Sequence, residues 1–147
     1  MKIINNQIKQ IGNLVNEFSD FARMPKPTLK KNDLIKIIKD NIKLLSEIDS
    51  SIKLNLISKK SVISLESDKE QMNRVIFNLI KNSIESIQQK AENTSNFNKI
   101  IDIEIYDKSN QIYIIITDNG LGLGNFTRNL NEILNPYVTT KKNGTGL

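Results

Sequence analysis

The segment Asn78-Leu79-Ile80-Lys81-Asn82 holds two amides four residues apart. Residues at that spacing share a face of an α-helix, so both carboxamides point the same way. Ile76, Ile80, Ile84 and Ile87 form an apolar stripe on the opposite side, while Arg74, Lys81 and Glu85 fall on or beside the amide side. The pattern predicts one long amphipathic helix with a core-facing stripe and an amide-bearing face. Upstream, Ser67-Asp68-Lys69-Glu70 has the form of a capping box, with Ser67 accepting from a free amide and Glu70 reaching back. The helix is therefore expected to open there and to run to about Lys90. Two amides alone are also what any solvated helix face shows, so their meaning depends on what surrounds the helix.

Downstream, residues 91–98 are polar and read as a loop. Residues 100–106 and 111–117 are β-branched runs separated by Asp107-Lys108-Ser109-Asn110, which predicts a β-hairpin. Asp118-Asn119-Gly120-Leu121-Gly122-Leu123 follows the second run directly. A carboxylate at a strand's end can accept a hydrogen bond from an exocyclic amine, and glycines let a ligand lie against the backbone. Asn-Gly after a strand is equally a common turn signal. At the carboxyl end, Thr139-Thr140-Lys141-Lys142 precedes Gly144-Thr145-Gly146-Leu147. That segment could offer backbone amides to phosphates, or be a tail.

Upstream of the long helix, residues 34–45 form a second amphipathic pattern with Leu34, Ile37, Ile38, Ile42 and Leu45 on one side. Residues 53–58 alternate apolar and polar as a half-buried strand does, and residues 62–65 read as another short strand. Ile4, Ile8, Ile11, Val15, Phe18 and Ala22 recur at alternating spacings of four and three. This heptad-like stripe predicts a helix packed lengthwise against others. Pro25 and Pro27 end it, because proline lacks an amide donor and disfavours helix in the residue before it. The order is helix, linker, then an α+β region.

Composition narrows the classes. The 147 residues are 38% hydrophobic and 25% charged, close to soluble globular averages. The net charge of +5 suits an anionic ligand, but the lysines (among them Lys30, Lys31, Lys36, Lys39, Lys59, Lys60, Lys141 and Lys142) are scattered rather than blocked. Dedicated nucleic-acid binding is therefore not expected. There is no cysteine, which excludes disulfides and thiolate metal sites, and no histidine. No apolar run approaches the roughly 20 residues that span a bilayer, and Met1-Lys2-Ile3-Ile4-Asn5-Asn6 lacks a signal-peptide core. The expectation for this chain is a cytoplasmic location.

Asn-x-x-x-Asn on a helix, Asp-x-Gly-x-Gly after a hairpin, then Thr-Thr-Lys and Gly-Thr-Gly-Leu together resemble the N, G1, F and G2 boxes of one ATPase superfamily. Gyrase, Hsp90, the histidine kinases and MutL share it. No Walker-type Gly-x-x-x-x-Gly-Lys-Ser/Thr occurs. Within the superfamily the histidine kinases are most similar. Asn78 stands where hydrolytic members carry a water-activating glutamate, and an amide cannot take a proton from water, which favours transfer of the γ-phosphoryl over hydrolysis. The stretch Val15-Asn16-Glu17-Phe18-Ser19-Asp20-Phe21-Ala22-Arg23-Met24-Pro25-Lys26-Pro27 is similar to the end of the dimerisation hairpin in NtrY-type sensor kinases.

The resemblance implies an α+β fold: a partial histidine-kinase ATPase (Bergerat-type) α/β sandwich over residues 27–147, preceded by one long dimerisation helix over residues 1–26. It implies ATP and Mg²⁺ as ligands, with Asn82 on the metal and Asn78 near the phosphates. Magnesium takes oxygen ligands and needs few from protein, so an amide oxygen suffices. Asp118 would read the adenine amino group, with Gly120 and Gly122 shaping the pocket. Residues 123–143 would be a lid, with Thr139, Thr140 and Lys141 in its characteristic stretch and Tyr137 where the family usually has phenylalanine. Gly144 and Gly146 would approach the phosphates at a helix amino end, where the dipole favours anions.

The implied reaction moves the γ-phosphoryl of ATP to a histidine and then to an aspartate of a response regulator. It relies on positioning and charge neutralisation more than on a general base. The implied partners are a response regulator and a histidine-bearing kinase chain, in a parent that is homodimeric and anchored in the inner membrane. With no histidine of its own, and with the family continuing past Gly-Thr-Gly-Leu, the isolated chain is expected to be inactive. The alternative is a non-enzymatic fragment that pairs its heptad helix with a kinase hairpin in a four-helix bundle.

Overall fold

The structure, a computed structural model, describes residues 26–94 and 96–122, together with Gly12 and Val15, both helical. The rest of the expected heptad helix, the expected lid and the residues Thr139, Thr140, Lys141, Gly144 and Gly146 lie outside the described residues. One of the chain's two compact units is Pro27–Gly122, and it carries every element below.

Its elements are β1 (Lys30–Asp33), α1 (Leu34–Ser46), β2 (Lys53–Ile57), β3 (Ser64–Ser67), α2 (Lys69–Asn93), β4 (Ile100–Lys108) and β5 (Gln111–Asp118). The strands make two sheets: β1 and β3 pair antiparallel, while β2, β4 and β5 stand in that order with β2 parallel to β4 and β4 antiparallel to β5. A parallel β2–β4 pair needs a crossover, and α2 lies within it.

Both helices bury one face against the sheet. From α1 come Leu34, Ile35, Ile37, Ile38 and Leu45, from α2 Ile76, Ile80, Ile84 and Ile87, and from β4 Ile101, Ile103 and Ile105. Ile52 and Ile63 complete this core from the connections. The alternation in β4 puts its three isoleucines inward and Asp102 and Glu104 outward, as a period of two requires. On β5 the inward Ile112, Ile114 and Ile116 are half-buried, because β5 stands at the sheet edge among the described strands. Full burial of such a side chain stabilises by roughly 1.5–3 kcal/mol.

Some boundaries differ from the sequence reading. The long helix is capped by Asp68, not Ser67: the Asp68 carboxylate accepts from the amides of Glu70 and Gln71, both at 3.0 Å. Its other oxygen accepts from the Thr28 amide at 2.8 Å. Ser67 is the last residue of β3, in register with Lys30, and its buried hydroxyl has no hydrogen-bond partner among the described residues. The strand pairing holds Ser67 extended and inward, so the cap falls to the next residue. The helix also continues past Lys90 to Asn93. The short strand starts at Ser64 rather than residue 62, leaving Ile63 as a buried plug whose carbonyl accepts from the Leu34 amide at 2.8 Å. The hairpin strands reach Lys108 and Gln111, so the turn is only Ser109 and Asn110, both at positive φ (52° and 61°). That conformation matches the right-handed twist of the strands it joins.

Candidate functional site

The amide pair lies as its spacing requires. Asn78 and Asn82 are both exposed on α2, on the side away from the buried Ile76, Ile80, Ile84 and Ile87. Lys81 and Glu85, also four apart, form a loose 3.8 Å ion pair beside them. Extending the same spacing gives Ser86 and then Lys90. This continuation went unread in the sequence, and it is where the glycine-bearing loop lands.

The loop begins at Asp118, in register with the fully buried Ile101 on β4. Side chains in register point to one face of a sheet, so Asp118 is on the face that the helices cover. Its carboxylate accepts from the Gly120 amide at 2.9 Å, which closes a tight turn. Gly120 then lies directly on α2: a Cβ there would come within 2.6 Å of the Ser86 carbonyl carbon and 2.8 Å of the Ile87 nitrogen, with the Ser86 hydroxyl closer still. The Leu121 amide donates to the Ser86 carbonyl at 3.3 Å. Residue 86 is inside a helix, so that carbonyl also serves the helical ladder, and Leu121 uses its second lone pair. Gly122 follows at φ +69°, and no described residue lies within 4 Å of where a Cβ would stand.

The loop that follows the acidic strand end is thus tied to the helix that carries the amide pair. The docking point at Ser86 is one helical turn from Asn82, about 6 Å along the axis, and two turns from Asn78. Asn82 and Asn78 offer hard amide oxygens, and Asp118 offers a carboxylate beside an open glycine backbone. This donor set fits a magnesium ion that takes its other ligands from phosphates and water, and a base bearing an exocyclic amine. Two surface depressions of the described residues lie elsewhere. One, of about 440 Å³, lies between α1 and α2 against Asp40, Asn41, Leu44, Asn73, Arg74 and Phe77. The other, of about 390 Å³, is rimmed by Lys39, Lys59 and Lys60. Neither is lined by Asn78, Asn82 or Asp118.

No family model matches the sequence. Individual proteins do. The chain is 31% identical over 150 residues to the nitrogen regulation protein NtrY of Azorhizobium caulinodans, covering 98% of this chain and 18% of that protein. It is 31% identical over 147 residues to an NtrY-like sensor histidine kinase of Rickettsia prowazekii, covering all of this chain and 23% of that one. The chain is homologous, along its whole length, to one segment of the NtrY-type sensor histidine kinases. It spans about a fifth of the length of these relatives.

Solved structures agree on the fold. The catalytic domain of the histidine kinase ThkA superposes with a TM-score of 0.67 at 21% identity, over 81% of this chain and 73% of that one. The mycobacterial sensor histidine kinase MprB gives 0.67 at 14% identity, over 82% and 72%. ThkA in complex with the response regulator protein TrrA gives 0.71 at 18% identity, over 94% of this chain and 39% of ThkA. The fold of this chain is that of histidine-kinase catalytic domains. Among the described residues, no helix is long and apolar enough to cross a membrane.

Proposed function

We propose that this chain supplies the nucleotide-binding wall of a two-component sensor histidine kinase, with residues 1–26 as a dimerisation helix and residues 27–147 as part of the ATP-binding domain. The observation that carries the proposal is the seating of the loop at residues 118–122 on α2 through Leu121 and Ser86, one turn from Asn82. Nothing in a generic α+β packing requires an acidic strand end to be tied to an amide-bearing helix face.

In this reading Asp118 accepts a hydrogen bond from the adenine amino group, and Gly122 lets the nucleotide lie against the backbone. Asn82 donates its amide oxygen to Mg²⁺, and Asn78 binds near the phosphates. The bound ion would neutralise phosphate charge as the γ-phosphoryl moves, which is the main demand of phosphoryl transfer. The 147 residues contain no histidine, so the accepting imidazole would belong to residues outside them, and a response-regulator aspartate would receive the group next. Thr139, Thr140, Lys141, Gly144 and Gly146 would close over the phosphates.

Calorimetry with Mg²⁺ and a non-hydrolysable ATP analogue tests this. The chain should bind the analogue, and Asn82→Ala and Asp118→Asn should each abolish measurable affinity. Unchanged binding by both variants would place the pocket elsewhere.

A further inference from the structure

The loop that carries Asp118 is held by more than its docking on Ser86. Lys90, one turn beyond Ser86 on α2, reaches across and donates from Nζ to the Asn119 carbonyl at 2.7 Å. The same ammonium lies 4.8 Å from the centre of the Phe97 ring, in the connection between α2 and β4. Asn119 in turn ties that connection to the loop: its Oδ1 accepts from the Ile100 amide at 3.0 Å, and its Nδ2 donates to the Asn98 carbonyl. Lys90 is half-buried, pinned between an aromatic face and a carbonyl. It thus joins three separate segments: α2, residues 96–99 and residues 118–122.

We propose that Lys90 and Asn119 are positioning residues for base selection, holding Asp118 at a set height along α2 relative to Asn82. This rests on the nucleotide reading given above. The helix acts as a ruler with steps of about 6 Å per four residues, on which Asn82, Ser86 and Lys90 are successive marks. Ser86 alone is a single contact about which the loop could pivot. Lys90 on Asn119 is a second contact on the same helix, and two contacts define an orientation. A carboxylate that reads one exocyclic amine needs that orientation, because a hydrogen bond weakens steeply once its angle falls below about 120°. In that reading the phosphate and metal contacts run through Asn78 and Asn82 on α2 and not through the loop.

The experiment uses the full chain, with Lys90→Met, which keeps the stem over Phe97 but removes the donor, and Lys90→Arg, which keeps a cationic donor. Hydrogen exchange at the Leu121 amide is followed by NMR, and binding of ATP, GTP and inorganic tripolyphosphate is followed by calorimetry with Mg²⁺. Lys90→Met should speed Leu121 exchange and cut the preference for ATP over GTP, each by about tenfold, as loss of one charged hydrogen bond implies. Tripolyphosphate binding should not change, and Lys90→Arg should restore both properties. Unchanged Leu121 exchange in Lys90→Met would overturn the clamp whatever the nucleotide results. Faster exchange with an intact ATP preference would show a structural brace and overturn the positioning role. A wild-type chain that bound both nucleotides equally would instead overturn the role of Asp118, and base selection with it.

Discussion

Gly120 and Ser86 are in backbone contact, and the contact admits no side chain at residue 120. A Cβ there would meet the Ser86 carbonyl carbon at 2.6 Å and the Ile87 nitrogen at 2.8 Å, inside any real carbon contact. Gly120→Ala should therefore lift the loop off α2, costing about 1–3 kcal/mol as overpacking does. It should also weaken ATP-analogue binding at least about tenfold. Because two of the clashing atoms are backbone, Ser86→Gly should not rescue it. Thermal unfolding and calorimetry of the single and double variants check this; full rescue by Ser86→Gly would show that only the hydroxyl matters.

Two adjacent residues compete for the role of helix cap, and they separate cleanly by substitution. Asp68 receives the amides of Glu70, Gln71 and Thr28, whereas the buried Ser67 hydroxyl bonds none of the described residues. Asp68→Ala should lower the melting temperature by several degrees, and Asp68→Asn by less, since asparagine also caps. Ser67→Ala should be neutral or slightly stabilising, because it removes an unsatisfied polar atom. A larger loss at Ser67 than at Asp68 would restore the capping box read from the sequence.

Three carboxylates should make the protein less stable in acid. Amides of Gln71 and Thr28 hold Asp68 below the ordinary value of 3.8, the Ser51 hydroxyl does so for Asp49, and the Lys60 ammonium for Asp107. A folded pKa below the unfolded one favours folding while the group is ionised. That contribution is complete above the unfolded value and is lost as pH falls through the folded one. Urea midpoints should be flat near pH 6 and decline below about pH 4. Asp68→Asn should make the decline shallower. A midpoint that stays level into the acid range would contradict the sign.

Stability and binding should separate along α2. Ile80 is fully buried and Asn78 is exposed. Ile80→Ala should cost about 2–5 kcal/mol through the cavity it leaves. Asn78→Ala should change stability by no more than about 0.5 kcal/mol while weakening nucleotide binding. Denaturant titration beside calorimetry reads both, and an Asn78→Ala variant that bound the analogue normally would remove this residue from the site.

The helices and the hairpin were legible because each carries its own periodicity. The isoleucines of α2 and the alternation of β4 are local patterns, and burial followed them. The choice between Ser67 and Asp68 was not legible. It turns on Ser67 pairing with Lys30, far away in the chain. The tight Ser109–Asn110 turn was read too long for a related reason, since strand length depends on how far the cross-strand ladder continues. Ser86 and Lys90 carried a faint signal in the repeat of four from Asn78, and Asn119 carried none. Nothing local said that a loop more than 30 residues downstream from Ser86 would land on it.

The sequence by itself determined which faces are apolar, where two amides share a helix side, and that an acidic residue ends a β-branched run. These follow from 3.6 residues per helical turn and two per strand repeat, which short-range chemistry enforces. Only the tertiary structure decided that the loop after the acidic strand end is tied to the amide-bearing helix. That meeting depends on the loop's backbone touching the helix's backbone at Gly120, and a long-range contact of that kind leaves no periodic trace.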